Sequence, residues 1–267
     1  MIPEISSREN PKYKELKKLS KEKSSYIFIE GKQLFLELIN SNLQIKSIYI
    51  DKKNQKSISK YLTSKKNYEF VYIKNDLISS LYTTENLPLK EELLITVSEK
   101  PHWSLFSLFD SKTNLLFLEQ IQDPGNLGTI IRSAIAFNIG GIILTKNSAD
   151  PYNTKTIRAS AGAVFKCPIV FIESKPEDLK SLRTLAKSNS YKIIATAVKK
   201  GSEPSKIKLN NKNLFVFGNE GKGISEHVLN IADDVTTIPH SQNIESLNVG
   251  VAASLMMWES YKNRRAI

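Results

Sequence analysis

Cysteine and histidine are scarce in this chain of 267 residues, which contains one cysteine and three histidines. The single thiol, Cys167, excludes an intramolecular disulfide framework and a cysteine-based zinc site. The histidines are His102, His227 and His240. They lie far apart in the sequence, so we also predict that the protein has no structural metal site.

Long apolar segments are absent as well. No apolar run approaches the roughly 18 residues that a membrane-spanning helix needs. The first residues, 1–7, lack the apolar core of a secretory signal. We therefore expect a soluble cytoplasmic protein that does not contact a membrane.

Acidic residues are outnumbered by basic ones, 27 against 38, which gives a net charge of +11. The apolar share of 40% and the charged share of 24% are ordinary for a globular protein. The positive excess favours a polyanionic partner such as nucleic acid, because each neutralised phosphate releases counterions. A lysine-rich proteome would also produce such a balance without any functional meaning.

The pattern of apolar residues predicts two domains. Short strand and helix patterns alternate through residues 1–100, which we interpret as a small α/β domain. Proline, serine and aspartate interrupt this rhythm over residues 101–113, which we interpret as a linker that packs against its surroundings. Residues 114–267 form the second predicted domain.

The second domain repeats a strand, a loop and a helix, which is typical of a parallel sheet with helices on both faces. The predicted strands are residues 115–119, 141–145, 168–172, 191–198 and 214–217. We expect a helix that begins near Thr129 and a last helix over about residues 246–262.

Three loops follow predicted strands in this domain, where parallel sheets bind their ligands. In the first loop, Asn126 and Gly128 precede Arg132, which lies one turn inside the predicted helix. A guanidinium at this position can bind phosphate or carboxylate as a planar fork. A surface arginine paired with an acid is the alternative.

The second loop, residues 217–225, contains Gly218, Gly221 and Gly223. Glycines let a backbone approach a ligand closely or adopt positive φ. Neither the P-loop spacing nor the dinucleotide fingerprint fits this segment. A plain turn remains the alternative, although Glu220 between glycines at a strand end favours a binding site.

The third loop, residues 238–249, leads into the last helix and places Ser246 and Asn248 near its start. Serine is a common helix cap, so Ser246 is a candidate cap. A functional role for Ser246 is compatible with capping.

Together the three loops resemble the motifs of the SpoU branch of the SPOUT superfamily, the TrmH-like RNA 2′-O-ribose methyltransferases. The matching residues are Asn126, Gly128 and Arg132, then Gly218, Glu220, Gly221, Gly223 and Ile224, and finally Ile238, Pro239, Ser246, Leu247, Asn248 and Val249. Residues 151–163 resemble the middle segment of the family. Residues 28–31 resemble the entry to the RNA substrate-binding domain that often precedes this fold, so the likeness covers most of the chain.

The resemblance implies a trefoil-knotted α/β domain that binds S-adenosylmethionine and forms a homodimer with a shared active site. The implied cofactor-binding residues are Gly218, Asn219, Gly223, Ile238 and Leu247, with Ala197 as a weaker candidate. The implied catalytic residues are Asn126, Arg132, Glu220, Ser246 and Asn248. No metal is implied. For Arg132 we favour phosphate anchoring and stabilisation of the developing alkoxide, because a guanidinium normally stays charged. Action as a base is the alternative.

A lysine-rich segment in the first domain is a candidate RNA surface. Residues 46–66 contain seven lysines and one acid, Asp51, with tyrosines interleaved. We single out Lys52, Lys53 and Lys56 as RNA contacts, together with Arg158 in the middle segment of the second domain. A solvated helix face is the alternative for the lysines.

Apolar residues on the last helix bear on assembly. This helix carries more apolar surface than packing against one sheet face requires, at Val251, Leu255, Met256 and Trp258. We interpret them as part of a dimer interface. The alternative is that all four pack within one subunit.

Other functions predict other sequences. A non-catalytic RNA-binding assembly factor on this scaffold would lack cofactor affinity. A SPOUT base methyltransferase would lack the pair of Asn126 and Arg132. A Rossmann enzyme would carry a Gly-x-Gly-x-x-Gly loop, which is absent. We expect 23S ribosomal RNA as the substrate, because the additional N-terminal domain suits a large structured target, and transfer RNA is the alternative.

Overall fold

A computed structural model describes residues 3–22, 24–62, 68–84, 92–199, 201–207, 209 and 212–265. The chain divides into two compact units. The first unit comprises Met1–Pro101 and Tyr152–Lys166, and the second comprises His102–Pro151 and Cys167–Ile267.

The strands and helices alternate along most of the chain. The strands are β1 (Glu4–Ile5), β2 (Tyr26–Glu30), β3 (Ile45–Ile50), β4 (Glu69–Ile73), β5 (Leu94–Glu99), β6 (Leu115–Leu118), β7 (Gly141–Thr145), β8 (Ile169–Ile172), β9 (Lys192–Thr196), β10 (Asn213–Phe217) and β11 (Asp234–Thr236). The helices are α1 (Pro11–Leu19), α2 (Lys32–Ile39), α3 (Lys56–Ser59), α4 (Asn75–Ser79), α5 (Leu105–Phe109), α6 (Pro124–Ala136), α7 (Thr154–Ala159), α8 (Pro176–Ser188), α9 (Glu226–Leu229) and α10 (Val249–Arg265).

In the first unit, the described residues form a mixed five-stranded sheet with the order β1-β4-β3-β5-β2. Strand β3 runs parallel to β4 and antiparallel to β5. The core contains Phe28, Tyr49, Val71 and Ile95 from four strands, with Leu16 from α1 packed among them. This arrangement agrees with the predicted small α/β domain.

In the second unit, the described residues form a six-stranded sheet with the order β11-β9-β10-β6-β7-β8. Every strand pair is parallel, which confirms the predicted fold class. Residues of β6, β7 and β10 are buried throughout, as expected for parallel strands that are covered on both faces. The trefoil knot stays a prediction.

The unit boundaries differ from the domain boundaries that we expected. Residues 102–113 of the predicted linker belong to the second unit, and α5 within them buries Leu108 and Phe109 in its core, which agrees with the expectation that this segment packs against its surroundings. Two apolar side chains in so short a helix gain more from burial than from exposure to water. Residues 152–166, expected within the second domain, pack instead with the first unit.

Helix α6 begins at Pro124, five residues before the predicted start. The Asp123 carboxylate accepts a hydrogen bond of 2.7 Å from the Asn126 backbone nitrogen and so caps the helix. Proline suits the first turn because its nitrogen needs no partner there. Asn126 therefore lies in the first turn of the helix and not in the preceding loop.

Helix α10 buries one predicted interface residue and exposes the others. Met256 is fully buried within the unit, so its assignment to a dimer interface is wrong. Val251, Leu255 and Trp258 are between 43% and 48% exposed. They lie at helical spacing on one face of α10. In the part of the chain that the structure describes, no helix is long and apolar enough to cross a membrane.

Candidate active site

A cleft of about 1080 Å³ opens at the carboxyl ends of β9 and β10. Its walls come from residues 196–199 after β9, residues 217–224 after β10 and residues 238–249 before α10. Each wall follows a strand at the same edge of the parallel sheet, where ligands bind in this class of fold. The predicted cofactor-binding residues Ala197, Gly218, Asn219, Gly223, Ile238 and Leu247 all line this cleft.

The loop after β10 has a backbone conformation that two glycines make possible. A Cβ atom on Gly218 would lie 2.2 Å from the carbonyl carbon of Gly223, which is far inside van der Waals contact. Gly223 itself has φ of +70°, a region that favours glycine. The backbones of Asn219 and Gly223 exchange two hydrogen bonds of 3.0 and 2.9 Å that close the loop.

Three of the predicted catalytic residues are joined by hydrogen bonds beside the cleft. The Asn126 side-chain nitrogen donates to Glu220 Oε1 at 3.1 Å. The Asn248 side-chain nitrogen donates to Asn126 Oδ1 at 2.8 Å. The three loops are thus connected by side chains whose orientations are mutually fixed.

Glu220 also accepts backbone hydrogen bonds from the first loop. The nitrogens of Gln122 and Asp123 lie 3.4 and 3.3 Å from its two carboxylate oxygens. These two backbone donors fix the orientation of the carboxylate. Glu220 therefore serves as an anchor between the first and second loops.

Asn248, and not Ser246, caps the last helix. Asn248 Oδ1 accepts hydrogen bonds from the backbone nitrogens of Gly250 and Val251, at 2.9 and 3.2 Å. The helix consequently begins at Val249, three residues later than predicted. Ser246 is exposed and lines the cleft, so its hydroxyl can contact a ligand there.

Arg132 is exposed on α6, two turns beyond Asn126. Among the described residues it has no hydrogen-bond or ion-pair partner, and it does not line the cleft. The described residues therefore do not support the alternative that Arg132 is a surface arginine paired with an acid. Its guanidinium is available for an external phosphate or carboxylate.

The candidate RNA lysines lie where the chain leaves β3 in the first unit. Lys52 and Lys53 are in a single turn of 3₁₀ helix, and Lys56 opens α3. All three are exposed and form no ion pair in the described part of the chain. The nearby acid, Asp51, accepts hydrogen bonds from the backbone nitrogens of Lys53 and Asn75 instead. Residues 63–66 of the lysine-rich segment lie outside the described residues.

Arg158 is engaged within the first unit, in contrast to its predicted RNA contact. Its Nη1 atom donates to Glu30 Oε2 at 2.9 Å and to Thr83 Oγ1 at 3.2 Å. The Glu30 side chain is only 3% exposed, and a buried carboxylate requires such a partner. Arg158 is therefore an anchor of residues 152–166 on β2.

Thiol and metal chemistry receive no support from the geometry. Burial raises the pKa of the Cys167 thiol to about 12, so the thiolate is scarce near neutral pH. Among the residues that the structure describes, no three histidine, cysteine, aspartate or glutamate side chains are grouped as metal ligands.

Some residues that line the cleft or hold its loops are not among the predicted site residues. Val198 and Lys199 line the cleft after β9 but belong to none of the three motif loops, and His240 lines it within the third loop without being among the predicted site residues. Asp123 accepts from the Asn126 backbone nitrogen of its own helix, and Glu119 accepts from the Ser225 backbone nitrogen in the loop after β10. The Glu119 contact joins positions 106 residues apart and leaves no pattern in a single sequence.

A cleft at the carboxyl edge of a parallel sheet, lined by glycine-rich and polar loops, is typical of an α/β enzyme that binds a small-molecule ligand. The SpoU rRNA methylase family model matches residues 113–258, which is more than half of the chain. The chain belongs to the SpoU rRNA methylase family.

Individual relatives support the same placement. The chain is 29% identical to the 23S rRNA (guanosine(2553)-2′-O)-methyltransferase RlmP of Bacillus subtilis over 96% of this chain and 98% of that protein. It is 36% identical to an uncharacterized tRNA/rRNA methyltransferase of Synechocystis over 57% of this chain and 54% of that protein. The AdoMet-bound rRNA methyltransferase of Sinorhizobium meliloti has the same fold, with a TM-score of 0.84, 24% identity and 98% coverage of both chains.

Proposed function

We propose that this protein transfers the methyl group of S-adenosylmethionine to a ribose 2′-hydroxyl of 23S ribosomal RNA in the cytoplasm. The observation that carries this proposal is the chain of hydrogen bonds from Glu220 through Asn126 to Asn248, which joins all three motif loops beside one cleft. The name of the Bacillus subtilis relative supports both the 2′-oxygen and the 23S molecule.

The residues around the cleft fit S-adenosylmethionine. Ala197, Ile238 and Leu247 offer apolar surface for an adenine ring, and the loop at Gly218 allows close approach to its backbone. Thr196 Oγ1 is buried at this cleft without a hydrogen-bond partner among the described residues. A buried hydroxyl in this state is better satisfied by a ligand. When bound, the cofactor supplies the methyl group from its sulfonium.

Methyl transfer would join the ribose 2′-oxygen to the methyl carbon of the donor, leave the carbon–sulfur bonding pair on a neutral thioether and pass the hydroxyl proton to solvent. A ribose hydroxyl is a weak acid, so the protein must stabilise the charge that develops on its oxygen. We assign this role to the Arg132 guanidinium, which also holds a neighbouring phosphate. Asn126, Glu220, Ser246 and Asn248 orient the loops, the cofactor and the ribose.

A homodimer with a shared site explains the position of Arg132. This residue does not line the cleft of its own unit, so we propose that it serves the cleft of a partner copy. The exposed face of α10, formed by Val251, Leu255 and Trp258, is a suitable interface. Interfaces of obligate homodimers are richer in apolar residues than ordinary protein surface.

Purified protein is expected to bind S-adenosylmethionine in calorimetry and to methylate ribosomal RNA on ribose. The product is checked by mapping 2′-O-methyl sites in ribosomal and transfer RNA from strains with and without the gene. Loss of a site in 23S RNA alone supports the proposal. Loss of a site only in transfer RNA identifies the alternative substrate, and absence of cofactor binding with or without RNA contradicts the enzyme itself.

The lysines after β3 are proposed to bind RNA phosphates. Changing Lys52, Lys53 and Lys56 to glutamate is expected to weaken RNA binding at least about tenfold and to reduce its salt dependence by about two to three phosphate contacts. Cofactor affinity should be kept, because these lysines lie in the other unit. Filter binding at several salt concentrations measures both quantities.

In a matched control, three exposed lysines of the second unit are changed to glutamate, which gives the same change in net charge. These lysines are Lys112, Lys180 and Lys187. The control variant is expected to alter RNA affinity much less. If both triple variants lose the same RNA affinity, the loss reflects net charge in general and not a specific RNA site at the lysines after β3. Unchanged RNA affinity in the Lys52, Lys53 and Lys56 variant would mean that these lysines form only a solvated surface and do not bind RNA.

A further inference from the structure

Glu119 is a buried carboxylate that none of the motifs contains. It directly follows β6, whose four residues are all apolar and buried, and it is only 3% exposed. A carboxylate in such surroundings is costly unless hydrogen bonds compensate for lost water. Its Oε2 atom accepts a hydrogen bond of 2.8 Å from the backbone nitrogen of Ser225.

Ser225 is the residue at which the loop after β10 ends and α9 begins. It is the N-terminal cap of α9, and its own backbone nitrogen lies outside the helical hydrogen bonds. Glu119 satisfies that nitrogen. The far end of the loop that carries Gly218 and Gly223 is thereby attached to the end of β6.

The neighbouring residue holds the near end of the same loop. The carbonyl oxygen of Gln120 accepts a hydrogen bond of 2.9 Å from the Asn219 side-chain nitrogen. Gln120 has φ of +55°, a conformation uncommon for a residue with a side chain. The Asn219 side-chain oxygen in turn accepts from the nitrogens of Gly221 and Lys222, both at 3.0 Å.

Glu119 and Gln120 therefore hold the two ends of the exposed, glycine-rich loop after β10 by hydrogen bonds. Glycines make a loop more flexible, so a glycine-rich loop loses more conformational entropy when it orders around a ligand. A loop that is already held in one conformation avoids this loss at the moment of binding. Glu119 and Gln120 lie in the segment that leads from β6 to α6, and Glu220 of the loop after β10 also bonds this segment, at the backbone nitrogens of Gln122 and Asp123.

We propose that Glu119 is a positioning residue that pre-organises residues 219–225 for the methyl donor. This inference rests on the proposed function, because it assigns the loop to that cofactor. Glu119 acts through the Ser225 backbone and does not line the cleft itself. A purely structural role would lower stability without a specific change in cofactor affinity.

The test compares Glu119→Ala, which removes the acceptor, with Glu119→Gln, which keeps an accepting oxygen. We expect Glu119→Ala to raise the Kd for S-adenosylmethionine, and its KM, on the order of tenfold. Glu119→Gln should stay within about threefold of wild type for both constants, because the hydrogen bond to Ser225 is restored. Calorimetry gives the Kd, and steady-state methylation with saturating RNA separates KM from kcat.

Asn114→Ala is the matched control. It also removes a buried polar side chain, but at the opposite end of β6 from Glu119. Asn114 is fully buried and bonds Asn213 and Ser260, away from the loop. It should lower the melting temperature and leave the Kd for the cofactor unchanged. Circular dichroism at the assay temperature confirms that every variant is folded.

The outcomes separate the inference from the function on which it rests. If folded Glu119→Ala binds the cofactor as wild type does, the positioning role is wrong while the enzyme assignment stands. Equal losses in the alanine and glutamine variants, or an equal loss in Asn114→Ala, also overturn it. If wild-type protein fails to bind S-adenosylmethionine, the proposed function fails first.

Discussion

Replacing Gly218 with alanine is expected to abolish cofactor binding and methyl transfer. The added Cβ atom would lie 2.3 Å from the carbonyl oxygen of Gly223 and from the nitrogen of Ile224, both backbone atoms that cannot rotate away. The loop must therefore open by more than an ångström, and the cleft loses one of its walls. Calorimetric titration with S-adenosylmethionine measures the loss, which we expect to exceed about a hundredfold in Kd.

Gly221 provides the control within the same loop. A Cβ atom there meets only the Asn219 side-chain oxygen at 3.7 Å, an ordinary contact distance. Gly221→Ala should therefore keep the loop conformation and change the Kd far less than Gly218→Ala does. Comparable Kd values for wild type and Gly218→Ala, with the fold verified by circular dichroism, would contradict the tight backbone packing in this loop.

The sheet of the second unit could be predicted because buried parallel strands are continuous apolar runs. Residues 115–118 and 214–217 are such runs, and the loops that follow them stand out by their glycines and amides. Position at the carboxyl end of a strand then links composition to ligand binding. The location of the candidate site was therefore accessible from the sequence.

The contacts within that site were not accessible, because they join distant positions. Asn126 meets Glu220 and Asn248 across 94 and 122 residues, and no periodicity relates these side chains. The same holds for Arg158, whose partner Glu30 lies 128 residues away. An exposed basic residue and one paired with a buried carboxylate look identical in a sequence.

Local hydrogen bonds also decided features that patterns left open. Asp123 starts α6 early and Asn248 starts α10 late, because a side-chain oxygen that accepts from a helical N–H fixes the first turn. Apolar spacing on α10 likewise could not tell buried Met256 from exposed Leu255, since the neighbours that cover each face are set by tertiary packing.

Arg132→Ala is expected to abolish methyl transfer while cofactor affinity stays unchanged. Its guanidinium is exposed, has no partner among the described residues and lies outside the cleft, so its removal disturbs neither fold nor cofactor site. Loss of one group that stabilises developing charge lowers kcat by about 10²–10³-fold. Arg132→Lys keeps the charge but not the planar fork, so partial activity is expected. Full activity in Arg132→Ala would exclude the residue from the reaction.

If the protein forms the proposed homodimer, mixed dimers test which copy of Arg132 serves which cleft. Co-expression of Arg132→Ala and Gly218→Ala subunits with different tags allows heterodimers to be isolated and assayed alone. If Arg132 reaches the partner's cleft, one of the two sites combines an intact arginine with an intact cofactor loop. About half of the wild-type kcat per dimer is then expected, although each homodimeric variant is inactive. If Arg132 serves its own cleft, every site carries one defect, and verified heterodimers stay inactive.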